Sequence, residues 1–385
     1  MSIQHLEVIF KLTSRCNINC TYCYYFYGAD QDWKSRPKKI SAESVQDTID
    51  FLKQAIEEHN IKSLQIDFHG GEPLLYGKKA FEAVCILFKQ QLGQSVKLHF
   101  AIQTNAMLID DEWVDIFEKY NIGIAISLDG PKLINDKLRI DHKGKGTYTR
   151  VVEGLKQLQT AERASRISPV SNLAVINPNT SGKAIYRHFV DDLNLYNMDF
   201  LLPGDDYDTY DPEQVHLYGD FLIDVLNEWI KDNNPKIKIR LFSAFIAKLY
   251  GQTSFMFPTE NFDTKKNIAM TIDSDGMVYG DDALRSNQAW NQYKAIHIKE
   301  NTFTDFQQVE KQWHEKNVAI PKACAGCIWE QTCAGGHLEN RYSSQSGYQN
   351  PTIYCEALQR VYQQIIHFLI DSGMPLEKLT QNIAA

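Results

Sequence analysis

A regular alternation of short apolar runs with amphipathic helical stretches is the feature that most constrains how this chain folds. Six runs rich in Val, Ile and Leu predict strands at residues 8–12, 63–68, 97–103, 123–128, 170–176 and 200–202. Helical periodicity between and after them predicts helices near residues 41–59, 77–92, 110–119, 149–161, 181–194 and 212–231. Runs this apolar are typical of a parallel sheet covered by helices, and six units are too few to close an eight-fold barrel. We therefore expect an α/β fold in which residues 1–235 form a partial (β/α)6 barrel.

The alternation stops after residue 235, which predicts a second, smaller domain over residues 236–385. This part contains a predicted helix near 239–250, an Asp-Gly hairpin signal in AMTIDSDGMVYGD and a predicted terminal helix near 356–372. The polar, loop-rich stretch between these elements breaks the strand–helix rhythm of the first domain.

Composition excludes several classes of protein. The 385 residues carry a formal net charge of −8 at pH 7, which leaves no basic footprint for nucleic acid. No run approaches eighteen uncharged apolar residues, and the start, MSIQHLEVIF, lacks the charged and apolar regions of a signal peptide. We therefore expect a cytoplasmic protein that binds neither nucleic acid nor a membrane.

Seven of the eight cysteines fall into two tight groups near opposite ends of the chain. The groups are Cys16, Cys20 and Cys23, and Cys324, Cys327, Cys333 and Cys355. Grouped cysteines in a large chain without an export signal indicate metal binding rather than a disulfide framework. The eighth, Cys85, lies on the apolar face of a predicted helix, where we expect a small buried side chain.

The first group has the spacing C-x3-C-x2-C and directly follows the first predicted strand. A four-iron cluster ordinarily takes four thiolates, so three thiolates leave one iron without a protein ligand. An open metal position is typical of a catalytic rather than a structural site. Spacing alone leaves a zinc loop or free thiols open as alternatives.

This spacing, with the aromatic Tyr22 before the last cysteine, resembles the signature of radical S-adenosylmethionine (SAM) enzymes. The resemblance extends to the segments FHGGEPLL, IQTNAMLI and ISLDGP, which follow the second, third and fourth predicted strands. Each segment by itself is also explained as an ordinary turn or strand exit, but together they lie where a barrel places its ligand contacts. In this family a [4Fe-4S] cluster binds SAM and cleaves it to methionine and a deoxyadenosyl radical.

The resemblance also implies which side chains contact SAM. Gly70, Gly71 and Glu72 of the Gly-Gly-Glu-Pro motif correspond to contacts with the methionine amino group. Ser127 corresponds to a contact with the ribose or the carboxylate, and Arg139 is a further candidate for the carboxylate. The remaining implied contacts are Tyr22 and Asn105.

The second group reads C-x2-C-x5-C, followed after a longer interval by Cys355. Four cysteines make a closed site that suits a structural zinc, slightly favoured on spacing, or a fully ligated four-iron cluster. The segment resembles the SPASM domain of radical SAM peptide-modifying enzymes, which implies an auxiliary [4Fe-4S] cluster on these four cysteines. Asp281 and His337 stand where the full pattern has cysteines, and no cysteine lies between Cys85 and Cys324. We therefore expect one auxiliary cluster rather than two.

Two further stretches resemble the cyclophane-forming (triceptide) maturases of ribosomally made peptides. They are MDFLLPGDDYD and the second cysteine segment with its Asn-Pro before Cys355. This resemblance implies a ribosomal precursor peptide as substrate, an aromatic-to-Cβ crosslink as product, and an electron donor of the flavodoxin or ferredoxin type. The alternatives are formylglycine formation in sulfatases, another radical SAM peptide modification, and a non-catalytic SAM- or peptide-binding scaffold.

Crosslinking needs a base that takes the ring proton, and Asp282 in YGDDALR is the candidate. It stands where the resemblance to the sulfatase-maturing enzymes places an aspartate beside a cluster cysteine. Desolvation would raise the pKa of such a carboxylate and make it a better base. The alternative is that Asp281 and Asp282 cap a helical turn.

Overall fold

The computed structural model describes residues 3–252, 266–375 and 377–379. In these ranges the strands form a single sheet in the order β10-β9-β8-β1-β2-β3-β4-β5-β6-β7. The strands are β1 His5–Thr13, β2 Ser63–Gly70, β3 Lys97–Thr104, β4 Ile122–Ser127, β5 Ser171–Val175, β6 Asn197–Leu201, β7 Lys238–Ile239, β8 Asn267–Ile272, β9 Met277–Tyr279 and β10 Ile296–His297. From β8 to β7 in that order, each strand pairs in parallel with the next. Strand β9 pairs antiparallel with both of its neighbours, β8 and β10.

All six predicted strands are present, as β1 to β6, and helices cover the sheet as expected. The α-helices are α1 Tyr24–Tyr27, α2 Ala42–His59, α3 Lys78–Leu92, α4 Asp111–Tyr120, α5 Lys132–Leu138, α6 Tyr148–Arg163, α7 Gly182–Arg187, α8 Val215–Asp232, α9 Arg240–Leu249, α10 Phe303–Asn317, α11 Glu330–Cys333 and α12 Cys355–Asp371. The predicted helix over 181–194 is shorter, because its last part, His188–Asp192, is a π-helical turn. The partial-barrel α/β fold is confirmed.

Residues beyond 236 also contribute to the barrel sheet, which the sequence pattern did not predict. Strand β8 pairs in parallel with β1, with Leu6 opposite Ile268. The Asp-Gly hairpin is confirmed, because β9 turns back beside β8 with Ile272 opposite Val278. Gly276 has φ +84°, a conformation that glycine adopts without strain. The boundary at residue 235 stays a prediction, since the downstream part shares a sheet with the upstream part.

The two faces of the strands differ, and this difference positions the site. In β2, Leu64, Ile66 and Phe68 are fully buried, and the Phe68 ring packs against Phe81 of α3. The alternate residues of β2 are half-buried on the inner face of the sheet. Burying each large apolar side chain against the helices contributes about 1.5–3 kcal/mol. Cys85 is fully buried on α3, as predicted.

One apolar core extends from Ile3 to Leu379 and joins the barrel to the C-terminal helix. Helix α12 lies against α8, where the Tyr354 and Tyr218 rings have centroids 4.9 Å apart. Helix α10 begins with a capping box between Thr302 and Asp305. In the described part of the chain, no helix combines the length and apolar character needed to span a bilayer.

Candidate functional site

The loop after β1 brings Cys16, Cys20 and Cys23 together at the carboxyl end of the sheet. The Cys23 amide donates to the Cys20 carbonyl at 3.2 Å, and the Tyr27 amide donates to the Cys23 carbonyl at 2.8 Å. Burial raises the pKa of all three thiols, that of Cys20 to about 11. A bound metal deprotonates such thiols outright. The loop therefore presents three thiols that interact electrostatically, and a bound cationic centre would favour their ionisation.

Gly70 and Gly71 lie directly against this loop. A Cβ atom on Gly70 would lie 2.2 Å from the Thr13 carbonyl oxygen, and one on Gly71 would lie 2.3 Å from the Arg15 carbonyl oxygen. The Gly71 amide donates to Thr13 at 2.9 Å, and the Glu72 amide donates to Arg15 at 2.9 Å. Only glycine permits this approach, so the glycines hold the end of β2 against the cysteine loop. Their contact with SAM stays a prediction.

Glu72 is buried and links the ends of two neighbouring strands. Its carboxylate accepts hydrogen bonds from the Leu74 amide at 3.1 Å, the Thr104 hydroxyl at 2.7 Å and the Asn105 amide at 2.8 Å. Burial raises the pKa of Glu72, and these three donors oppose that shift. A carboxylate has about four acceptor positions, so one remains for a ligand amine.

Asn105 reaches the cysteine loop from the end of β3. Its Nδ2 donates to Asn17 Oδ1 at 2.7 Å and lies 3.8 Å from Cys16 Sγ. Asn105 thus contacts one of the predicted metal ligands directly, and its backbone amide also holds Glu72. The structure brings these two predicted residues to the same side of the loop.

Tyr22, Asp129 and Arg139 form a buried hydrogen-bonded chain beside the loop. The Tyr22 hydroxyl donates to Asp129 Oδ2 at 2.5 Å and accepts from Arg139 Nη1 at 2.8 Å. Arg139 Nε is buried and has no hydrogen-bond partner among the described residues. The Arg139 charge also opposes the effect of burial on the pKa of Cys20. Asp129 was not predicted as a site residue, although it belongs to the ISLDGP segment.

Ser127 is the last residue of β4, on the inner face of the sheet. Its hydroxyl accepts a hydrogen bond from Gln103 Nε2 at 2.7 Å. Gln103 lies on the neighbouring strand β3 and was missed by the sequence analysis. The sequence could have indicated Gln103, because it is a polar residue near the carboxyl end of a strand and alternates with the buried residues of that strand.

Asp282 lies in a different environment from the one predicted. Its Oδ2 contacts Lys11 Nζ at 2.7 Å and the Tyr24 hydroxyl at 2.5 Å, and its Oδ1 accepts from Arg285 Nε at 2.5 Å. Burial acts to raise the pKa of Asp282, but the charges of Lys11 and Arg285 outweigh burial and hold that pKa well below its usual range. The prediction of a raised pKa is therefore wrong, because desolvation is offset by two cations. A role of Asp282 as base stays a prediction.

The capping alternative is right for one of the two aspartates. Asp281 Oδ1 accepts from the Ala283 amide at 2.9 Å and caps the short 3-10 helix Asp282–Ser286. Asp282 instead joins the buried ion pairs with Lys11 and Arg285. Lys11 was missed, although a lysine within the apolar strand VIFKLT is itself a signal of an inward charge.

The second cysteine group comes from one segment of the chain and the start of its last long helix, and three of its four members lie at helix ends. Cys324 ends the 3-10 helix Lys322–Cys324, Cys333 ends α11, and Cys355 begins α12. Neighbouring thiols and burial raise the pKa of Cys324, Cys333 and Cys355, that of Cys333 to about 12. Gln359 Nε2 lies 3.4 Å from Cys355 Sγ. The buried Tyr362 hydroxyl lies beside Cys333.

Within residues 3–252, 266–375 and 377–379, no three His, Cys, Asp or Glu side chains converge as the ligands of a single metal ion do. A four-iron cluster distributes its thiolate ligands over separate iron atoms. The donor set of each cysteine group, three or four thiols with nearby hydrogen-bond donors, fits such a cluster chemically.

Comparison with known proteins gives relatives over nearly the whole chain. A cysteine-type anaerobic sulfatase-maturating enzyme from Clostridium novyi (strain NT) is 27% identical over 378 residues, which cover 94% of this chain and 96% of the relative. A serine-type anaerobic sulfatase-maturating enzyme from Bacteroides thetaiotaomicron is 23% identical and covers 92% of this chain and 87% of the relative.

Solved structures share the fold. Native anSMEcpe with bound AdoMet (SAM) superposes with a TM-score of 0.80 at 22% identity, covering 95% of this chain and 98% of that one. Native anSMEcpe with bound AdoMet and the Kp18Cys peptide gives 0.78 at 22% identity, covering 96% and 99%. Residues 10–179 match the family model of the radical SAM superfamily, and this segment contains the three-cysteine loop and the Gly-Gly-Glu-Pro turn. The chain therefore contains a radical SAM domain over residues 10–179, and domains of this superfamily use a [4Fe-4S] cluster and SAM.

Proposed function

We propose that this enzyme modifies a ribosomally made precursor peptide by forming a cyclophane crosslink between an aromatic ring and the Cβ of a nearby residue. The observation that carries the proposal is the pairing of a three-cysteine loop at the barrel mouth with one closed four-cysteine site. The positions of a further auxiliary site are occupied by Asp281 and His337. The resemblance of MDFLLPGDDYD and of the Asn-Pro before Cys355 to the cyclophane-forming maturases supports the choice of product.

The two sites match the electron balance of crosslinking. A C–C bond forms while one Cβ–H bond and one ring C–H bond break, so the peptide loses two electrons and two protons. With SAM and the first cluster bound, reductive cleavage of SAM, fed by a flavodoxin or ferredoxin, supplies the means to remove a hydrogen atom from Cβ. An auxiliary cluster on the second cysteine group would accept the remaining electron, and the ring proton would go to a base or to water.

The barrel residues have separate parts in this proposal. Cys16, Cys20 and Cys23 ligate the SAM-binding cluster, and Asn105 contacts the Cys16 sulfur. Glu72 offers its remaining acceptor position to the methionine amine, while Gly70 and Gly71 keep that carboxylate beside the loop. The Tyr22–Asp129–Arg139 chain and Ser127 line the adjoining strand ends.

The part of the chain after residue 235 would accept the electron in this proposal. We assign Cys324, Cys327, Cys333 and Cys355 to an auxiliary [4Fe-4S] cluster in a SPASM-like domain over residues 236–385. Such a cluster is fully ligated, so it exchanges electrons rather than binding substrate. The Gln359 amide beside Cys355 and the Tyr362 hydroxyl beside Cys333 are donors that suit cluster thiolates.

Formylglycine formation in sulfatases is a second candidate function. It is favoured by the names of the relatives, two of which match along more than nine-tenths of this chain. The two candidates differ in substrate, because one needs an aromatic residue in the peptide and the other needs a serine or cysteine.

A single assay separates these candidates. The reduced enzyme is incubated with SAM and, in parallel, with a sulfatase-derived cysteine peptide and with a short peptide encoded beside the gene. We expect only the latter to lose two hydrogens, with tandem mass spectrometry locating a crosslink between an aromatic residue and a residue two positions away. Conversion of the cysteine peptide to an aldehyde would instead establish sulfatase maturation. No deoxyadenosine with either peptide would leave a binding scaffold.

A control variant tests the division of labour between the clusters. Cys333→Ala removes one auxiliary ligand, and we expect it to cleave SAM without crosslinking the peptide. Circular dichroism and size exclusion must show the variant folded, because loss of a metal can unfold a small domain. Full crosslinking by a folded variant without the auxiliary cluster would contradict the electron-acceptor role.

A further inference from the structure

Arg341 is a buried cation beside the four-cysteine site. Its side chain is 1% exposed and ends among backbone carbonyls. Nε donates to the Tyr348 and Asn350 oxygens at 3.1 Å each, and Nη2 donates to the Ala319 oxygen at 2.7 Å. A second bond from Nη2 to Tyr348 measures 2.8 Å. These carbonyl oxygens accept hydrogen bonds from the guanidinium, but they are neutral and do not balance its positive charge.

No Asp or Glu side chain in the described part of the chain forms an ion pair with Arg341. Buried charges are ordinarily paired or bound to a metal centre, because an isolated ion in a protein interior costs several kcal/mol. The groups that could supply a countercharge are the thiols of Cys324 and Cys333, which become anionic when a metal binds them. Burial lowers the pKa of Arg341 to about 10, and ionisation of these two thiols opposes that shift.

We infer that Arg341 is the countercharge of an anionic metal–thiolate centre on the four cysteines and raises the reduction potential of that centre. The inference deepens the proposed function, since it rests on the auxiliary cluster as the acceptor of the second electron. Arg341 is a positioning residue in this scheme and exchanges neither proton nor electron.

The electrostatic argument has a definite sign. Reduction adds one electron to a centre that is already negative, so a nearby fixed cation stabilises the reduced form more than the oxidised form. The electron comes from the peptide after hydrogen abstraction from Cβ, and the peptide then releases its ring proton. A higher potential makes that transfer more favourable.

The shape of the site favours arginine over lysine. The planar guanidinium donates hydrogen bonds to the carbonyls of Ala319, Tyr348 and Asn350 at the same time, and these bonds hold the charge in one position. A Cβ atom on Gly335 would lie 3.6 Å from Arg341 Cζ, so the chain just after Cys333 passes directly over the guanidinium. Lysine would carry the charge on a flexible chain with one nitrogen.

The test is a redox titration of the reconstituted holoenzyme, followed by electron paramagnetic resonance. Arg341→Gln removes the charge, and we expect the auxiliary potential to become more negative by at least the 59 mV that corresponds to a tenfold change in the ratio of oxidised to reduced centre. The SAM-binding cluster in the same sample should keep its potential and serves as an internal reference.

Two further variants keep the test decisive. Arg360→Gln removes an exposed charge on α12, the helix that begins at Cys355, and we expect no shift because solvent screens that charge. Arg341→Lys keeps the charge and should lie between the wild type and Arg341→Gln; it also provides the measurement if Arg341→Gln fails to load iron. An auxiliary potential equal to that of the wild type in a loaded variant without the charge would overturn the inference, as would one zinc and four irons per wild-type chain.

The inference and the proposed function fail separately. If the wild type crosslinks its peptide while loss of the Arg341 charge leaves the potential unchanged, the countercharge idea falls and the function stands. If the potential shifts while no peptide is crosslinked, Arg341 keeps its role and cyclophane formation falls.

Discussion

Two buried arginines distinguish the two ends of the molecule. Arg285, under the barrel mouth, forms ion pairs with Asp30, Asp273 and Asp282. Its guanidinium also lies over the Tyr279 and Trp290 rings, with centroids 4.7 and 4.5 Å away. Arg341, beside the second cysteine group, donates its hydrogen bonds to backbone carbonyls. The first charge is neutralised by the polypeptide itself, whereas the second is not.

This difference indicates that the Arg285 ion pairs form without a cofactor, whereas the Arg341 region depends on a metal centre for its countercharge. The Arg285 cluster ties Lys11 of β1 and Tyr24, next to Cys23, to the loop after β9 through Asp282. This cluster is complete without metal, so it preorganises the cysteine loop. Among the described residues no carboxylate forms an ion pair with Arg341, so the stability of this region should rise when metal and thiolates supply an anion.

The largest expected effect is on SAM cleavage. Replacing Cys16, Cys20 and Cys23 together with alanine should abolish deoxyadenosine formation and remove about half of roughly eight irons per chain, since each [4Fe-4S] cluster holds four. Thermal unfolding should change little, because the Arg285 cluster does not involve these thiols. A large loss of stability would show that the barrel mouth also depends on its cluster.

The comparison itself is tested by two matched substitutions. Arg285→Leu removes one of the cations that pair with three buried carboxylates and should destabilise both the metal-free and the reconstituted protein by about 3–5 kcal/mol. Arg341→Leu removes the donor to the carbonyls of Ala319, Tyr348 and Asn350 in both forms, but it should destabilise the reconstituted protein more, because only that form also loses a countercharge. Urea unfolding with and without iron measures both, and equal behaviour of the two variants would remove the distinction.

A smaller effect concerns the pH dependence of stability. The folded-state pKa of Asp282 is depressed, so its ion pairs stabilise the fold fully above the ordinary Asp pKa of about 4 and are lost as the pH falls below that value. Asp282→Asn should therefore lower stability at neutral pH and flatten its decline in acid. Thermal melts from about pH 7 down to about pH 2 measure this, because the contribution is lost only below the ordinary Asp pKa of about 4.

The same variant tests the base role of Asp282. A carboxylate with so low a pKa is a weak proton acceptor, so we expect deoxyadenosine and crosslinked peptide to decrease together in Asp282→Asn. Deuterium transfer from the peptide Cβ to deoxyadenosine without product would instead identify Asp282 as the base.

The smallest expected effect is at Tyr362. Its buried hydroxyl lies beside the Cys333 sulfur. A thiolate bound to a cluster would accept from it, which stabilises the reduced centre slightly. Tyr362→Phe should lower the auxiliary potential by less than Arg341→Gln does, and a larger shift would make the hydroxyl the main influence.

Local patterns were sufficient for the strands, most helices and the loop that carries the first cysteines. Period-two and period-3.6 patterns depend on which face of an element is buried, and the end of each parallel strand fixes where the motifs after it lie. Thus Glu72, Asn105 and Ser127, which follow or end three strands, were correctly placed at one edge of the sheet from sequence alone. Strand β8 was not predicted as part of that sheet, because its partner β1 lies more than 250 residues away in the chain.

Only the tertiary structure decided which charged side chains lie close together. The sequence by itself determined that Asp282 is an aspartate near a turn, and desolvation alone predicts a raised pKa. The fold places Lys11, from the other end of the chain, 2.7 Å from that carboxylate and thereby reverses the shift. For Arg341 the fold supplies carbonyls and no carboxylate. Electrostatic energy depends on distances between residues far apart in sequence, and these distances exist only once the chain has folded.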